Sequence, residues 1–141
     1  MRVHSQSFLC GRETDPRRIR VEIAEAYPEA MVQTFTSKAA TNGFFIRMLA
    51  AQTLRAGLSE SLLAKKPEID FLLRLAGTSQ ISEAISRVGS KNGEPFVLVL
   101  ASLRPLKTAS IAGGRKLPSR PLSEAELQRV EQGALLSAHR A

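Results

Sequence analysis

The side chains best suited to chemistry are few in this sequence and far apart in it. His4 and His139 lie near opposite ends of the 141 residues, and Cys10 is the only cysteine. A nucleophilic thiol needs a base beside it, and no histidine or carboxylate stands at a spacing that would supply one, so Cys10 reads as a packing residue. No His, Cys, Asp or Glu group has metal-ligand spacing. Gly113-Gly114-Arg115-Lys116 offers free amides and two cations to a phosphate, but it lacks the Gly-x-x-x-x-Gly-Lys-Ser/Thr spacing of a nucleotide loop. Glu68 and Asp70, two apart, would point to different sides of a helix and suit its first turn, where the dipole favours negative charge. His139, near the end of a predicted helix, reads as a solvated residue there. The residues thus predict a protein that binds rather than transforms, with no metal or cofactor.

Charge is the stronger signal. The chain carries 20 Lys and Arg against 13 Asp and Glu, a net charge of +7. The excess is confined to two stretches. Residues 31–66 hold five basic groups and one acid, and residues 91–121 hold six and one, while residues 1–30 hold five of each. Clustered cations create a local potential that phosphates feel, which predicts a polyanion partner. Bases would find few stacking platforms. There is no tryptophan, Tyr27 is the single tyrosine, and most of the six phenylalanines fall in apolar patterns. Phe44 and Arg47 are the candidates for stacking.

The elements that would position these groups can be read in order. Residues 1–9 read as a strand with Val3 and Phe8 inward. Asp15-Pro16 starts a helix as N-cap and N1, with Ile19 and Ile23 on one face. Residues 30–36 alternate as a second strand. Thr41-Asn42-Gly43 opens a long helix through Ala56 with Gly57 as its cap, and residues 59–66 form a short amphipathic piece. Pro67 starts a helix that is apolar on two sides and therefore sandwiched. Gly77 ends it, and Thr78-Ser79 caps a further helix to Gly89. Residues 95–103 (PFVLVLASL) are apolar almost throughout, which places them centrally in a covered sheet. Residues 104–121 read as a basic loop with a short edge strand at 108–112. Ser123 and Glu126 form a capping box for a helix over 122–140, with an apolar stripe through Leu127, Val130, Ala134 and Leu135. The pattern predicts one α/β (α+β) domain over 1–141, in which a small mixed, mainly antiparallel sheet is covered by helices. Neither a secretory-length apolar run nor a membrane span is present, so the chain reads as cytoplasmic.

The stretch Pro67–Gly89, PEIDFLLRLAGTSQISEAISRVG, resembles the signature of the small KEOPS subunit family that includes TPRKB, in its archaeal form. Glu68, Asp70, Leu72-Leu73, Ala76-Gly77-Thr78, Gln80-Ile81 and Ala84-Ile85 carry the likeness, and the preceding Leu54-Arg55-Ala56-Gly57 shares it. The resemblance implies a non-catalytic subunit of the complex that installs threonylcarbamoyl adenosine on tRNA. Such a subunit docks on the atypical kinase/ATPase subunit and captures the 3′ CCA tail of tRNA. Carried onto this chain, it suggests Arg55, Lys65, Lys66, Arg74 and Gln80 for RNA contact, and Leu135 and Leu136 for the protein partner. Ser79 stands where many members have a basic residue, and Phe44-Phe45-Ile46 where many have a histidine. Those departures suit a second reading, a diverged protein-only regulator of the kinase subunit that has lost tRNA-tail binding.

Overall fold

The computed structural model describes residues 2–140, with side chains through residue 137. Four strands and five helices follow in the order β1 (His4–Cys10), α1 (Pro16–Ala26), β2 (Met31–Thr36), α2 (Gly43–Leu58), α3 (Pro67–Ala76), α4 (Ile81–Val88), β3 (Phe96–Ser102), β4 (Gly114–Lys116) and α5 (Glu124–Arg140). They form one small α+β domain around a single sheet of order β2-β3-β1-β4. All three pairings are antiparallel, so the sheet is not mixed. The register His4↔Ser102 with Met31↔Ala101 runs β3 antiparallel to both flanking strands.

The apolar run predicts its own place. Every residue of β3 is buried between β2 and β1. Its side chains alternate between two cores. Val97, Val99 and Ala101 meet Phe45, Ile46 and Leu49 of α2 and Phe71 and Leu73 of α3. Phe96, Leu98 and Leu100 face Ile19 and Ile23 of α1, with Ala109 and Ile111 completing the cover. The sheet is therefore sandwiched, which is why its central strand tolerates no polar alternation.

Local chemistry fixes the helix ends. The Asp15 side chain accepts the Arg17 amide at 3.0 Å. At α5 the Glu126 amide donates to Ser123 Oγ at 3.1 Å, and the Ser123 amide returns a bond to Glu126 Oε1 at 2.9 Å. Gly77 caps α3 at φ +72°, a conformation that penalises any side chain. Thr78 Oγ1 accepts the Gln80 amide and donates to Glu83, opening α4.

Three local expectations are corrected. Residues 59–66 form no helix: Asp70 Oδ2 accepts the Leu63 amide at 2.9 Å and draws the segment into a turn over α3. α2 runs one residue past Gly57 and is capped at Ser59. The edge strand is Gly114–Lys116 and not 108–112. The Gln6 side chain bonds Lys107 O and the Ala109 amide, at 2.9 and 2.8 Å, and folds that segment over the α1 face. Gly113, at φ +74°, then turns the chain into β4.

Candidate nucleic-acid interface

A groove of about 720 Å³ runs along the outer edge of β2, between α1 on one side and α3–α4 on the other. Arg17 and Arg20 rise from the α1 wall, and Lys66 stands at the start of α3 opposite them. Val32, Ile69, Leu72 and Ile85 supply an aliphatic lining, and Glu68 is its one acid. The polar groups of the floor are held in place. Gln33 Nε2 donates to Glu68 O at 3.0 Å while Gln33 Oε1 accepts the Thr34 amide at 2.9 Å. The Thr34 and Ser90 hydroxyls share a bond of 2.7 Å. Gly89 bridges Phe35 on the same edge, so the strand edge is partly covered and poorly suited to adding another strand.

The expected RNA contacts separate on this framework. Lys65 and Lys66 are exposed, with Lys66 in the groove. Arg55 is exposed in the last turn of α2. Gln80 is exposed at the start of α4, and its side chain makes no capping bond. It lies at the other end of α3 from Lys66, about 15 Å away for a ten-residue helix. Exposed Ile81 and Ile85 lie on the α4 face between them.

Arg74 is withdrawn from the set. It is fully buried, with Nε 2.6 Å from Asp70 Oδ1, Nη2 3.1 Å from Asp70 Oδ2, and Nη1 2.9 Å from the Gly133 carbonyl. Its guanidinium is consumed in holding α5, so no phosphate can reach it. Asp70 correspondingly serves that pair rather than the helix dipole.

The two basic stretches meet only in part: Lys38 of the first shares a pocket with Arg120 of the second, and Arg47 shares one with Leu106, but their other cations stand apart. Lys66 faces the β2 edge, whereas Arg115 and Lys116 lie on β4, the opposite edge. Three strand spacings, about 14 Å, separate those edges. Arg120 sits elsewhere again, its carbonyl accepting Asn42 Nδ2 at 3.1 Å. The groove gains its charge instead from Arg17 and Arg20, which the residue counts hide because residues 1–30 are neutral. Their spacing with Ala24, one step around the helix from buried Ile19 and Ile23, was the available signal.

On α5 the apolar stripe is split: Val130 packs against the core, whereas Leu127 and Leu135 face outward. Leu127 is 47% and Leu135 is 60% exposed, whereas Leu136 is half-buried. The inward face combines Val130 with polar and small groups: Gln52 Nε2 donates to Val130 O at 2.8 Å, and Gly133 lets Gln52 and Arg74 approach. Leu58, at the end of α2, is also exposed at 59%. The side chain of His139 lies outside the described residues. Cys10 is buried, and burial pushes its thiol up to about 11. Among the described residues no acidic, His or Cys group could hold a metal, and no helix is long and apolar enough to cross a membrane.

Fold and groove define a small α+β domain with a cationic, aliphatic cleft at one sheet edge. No protein-family model matches the chain. It is similar to the KEOPS complex subunit Cgi121 of Pyrococcus abyssi, with 30% identity over 111 residues, covering 75% of this chain and 63% of that relative. The chain thus spans less than two thirds of its relative's length. The similarity supports the reading carried by Pro67–Gly89: a member of the Cgi121 family.

Proposed function

We propose that this chain is a non-catalytic subunit of the KEOPS complex. As a cytoplasmic adaptor, it binds the atypical kinase/ATPase subunit and recruits tRNA by its 3′ CCA tail for threonylcarbamoyl-adenosine modification. Kinship with Cgi121 supports the KEOPS role. The groove carries the RNA half of the reading: Arg17, Arg20 and Lys66 gather along one aliphatic cleft that leads past Ile85 towards Gln80.

The chemistry suits an unpaired strand. Phosphates take the guanidinium forks of Arg17 and Arg20 and the point charge of Lys66. Bases lie against Ile85 and Ile81, and Gln80 presents a free amide to a base edge. The kinase subunit takes the outward stripe of α5 at Leu135, flanked by Leu136 and Leu127. An apolar row on a polar helix is the usual core of such a contact.

A gel-shift comparison of intact and CCA-trimmed tRNA tests the reading. Trimming should weaken binding, and added salt should weaken it steeply, since each neutralised phosphate releases counterions. Equal binding to both tRNAs rejects tail capture. The burial of Arg74, which removes one expected RNA contact, favours the second reading, a protein-only regulator of the kinase. Co-purification with the kinase and no retention of tRNA selects it.

A further inference from the structure

We propose that the end of the sheet where β1 begins and β3 stops is a phosphate-binding site, distinct from the groove. Three separate segments bring cations there. Arg2 comes from the segment just before β1, His4 from its first residue and Arg47 from the outer side of α2, and together they line a small polar pocket of about 180 Å³ with Ser5 and Gln6. Two more stand beside it. Arg104 lies two residues beyond Ser102, the ladder partner of His4, and its amide is fixed to Ser102 Oγ at 3.0 Å. The backbone of Lys107 is held beside the pocket, its carbonyl accepting Gln6 Nε2 at 2.9 Å, next to Leu106 in the pocket wall.

No acid lines this pocket. None of the ion pairs formed among the described residues involves Arg2, Arg47, Arg104 or Lys107. Gathering four permanent cations and a histidine without a counter-charge costs electrostatic energy, and the fold does not need them there for packing: all four permanent cations are exposed. A bound anion offsets that cost. Arginine forks favour the planar, two-oxygen recognition that phosphate offers. The polar lining, with Gln6 held rigid by two bonds to the 107–109 segment, favours a compact hydrated anion over an apolar ligand. The ligand is therefore a phosphate group, carried either by an RNA backbone or by a small phosphorylated molecule.

The site stands independently of tail capture, because it lies on β1 and α2 and the groove lies on α1, β2 and α3. The test is an amide NMR titration of the full ¹⁵N-labelled chain with inorganic phosphate, at ionic strength held constant with chloride. A saturable shift of the Gln6 side-chain amide and the Ser5 backbone amide is expected. Arg47→Ala and Arg2→Ala should each weaken it about tenfold, the contribution of one charge-assisted bond, while Arg20→Ala in the groove leaves it unchanged. The same spectra report whether each variant is folded. A parallel titration with an RNA duplex lacking any single-stranded tail separates the sources. Shifts at much lower RNA than phosphate concentration assign the site to an RNA backbone, and shifts with phosphate alone assign it to a small phosphorylated ligand. No saturable response to phosphate, or the same response to chloride, overturns the proposal. So does unchanged affinity in both folded Arg variants. Loss of tail-dependent tRNA binding in a groove variant leaves this site intact, so the two readings fail separately.

Discussion

Arg74 and Asp70 form an ion pair in which neither side chain has any solvent exposure. One turn apart on α3, they join through two bonds, and the pair is then fully enclosed by neighbours. Thr53 Oγ1 donates to Asp70 Oδ1, and Arg74 reaches Gly133 O and Ser137 Oγ on α5. Desolvating two charges is costly, and such a pair is tolerable only because every remaining donor and acceptor finds a partner. Its structural role is to clamp α5, whose inward face offers little apolar area of its own.

Removing one partner should therefore unfold much of the benefit. Arg74→Ala is expected to cost about 3–5 kcal/mol, because it leaves the Asp70 carboxylate buried and uncompensated. The double change Asp70→Ala with Arg74→Ala should cost less than the sum of the singles. Urea unfolding followed by circular dichroism measures both, and additive losses would show that the two residues act separately.

Asn42 makes a second junction. Its Oδ1 accepts the Phe44 and Arg120 amides, and its Nδ2 donates to Arg120 O and Glu126 Oε1. Asn42→Leu strands these buried groups, and a loss of about 2–4 kcal/mol is expected from unmet hydrogen bonds and a missing cap. Faster amide hydrogen exchange should appear both at the start of α2 and at the start of α5. Exchange confined to α2 would contradict the junction.

Cys10 gives the chain a pH signature. The thiol ionises at its ordinary value of 9.0 when unfolded, but only near 11 when buried. Its contribution is complete below pH 9 and is lost as pH rises from 9 to 11, because the unfolded chain releases the proton first. The ceiling is about 2.7 kcal/mol. Cys10→Ala should flatten this part of the stability profile, measured by urea midpoints from pH 8 to 11. The native thiol should also resist iodoacetamide until the protein unfolds, as mass spectrometry would report.

Charge reversal tests the groove. Lys66→Glu and Arg20→Glu should each weaken tRNA binding and lower the slope of log affinity against log salt by about 1. Both side chains lie at the groove rim, and surface substitutions of this kind alter stability by only about 0.5 kcal/mol. Lys116→Glu, at the far sheet edge, should not reproduce the loss of tail-dependent binding.

Leu135→Asp should abolish co-purification with the kinase subunit while leaving the melting temperature within a degree or two. Leu135 is well exposed, so the change costs little within the folded chain. Retained binding by Leu135→Asp and by Leu127→Asp would remove the α5 stripe as the partner face.

Much of the scaffold was written locally. The nearly continuous apolar 95–103 run implied a central covered strand, Ser123 and Glu126 implied a capped helix, and Pro67 with Gly77 bounded α3. Each signal depends on neighbours a few residues apart, through periodicity, capping geometry or backbone freedom. The Pro67–Gly89 signature likewise carried the family likeness.

Tertiary structure decided the rest, because side-chain fate depends on what folds against it from afar. Arg74 looks like any helix-surface cation in sequence, yet α2 and α5 close over it. Arg17 and Arg20 sit in an electrically neutral stretch, yet the crossing of α1 over the sheet sets them opposite Lys66. Leu127 and Leu135 keep their helical spacing but face solvent, since Gly133 and Val130 form the side that meets the body. Spacing along a chain fixes which residues share a helix face; only packing fixes which face is covered.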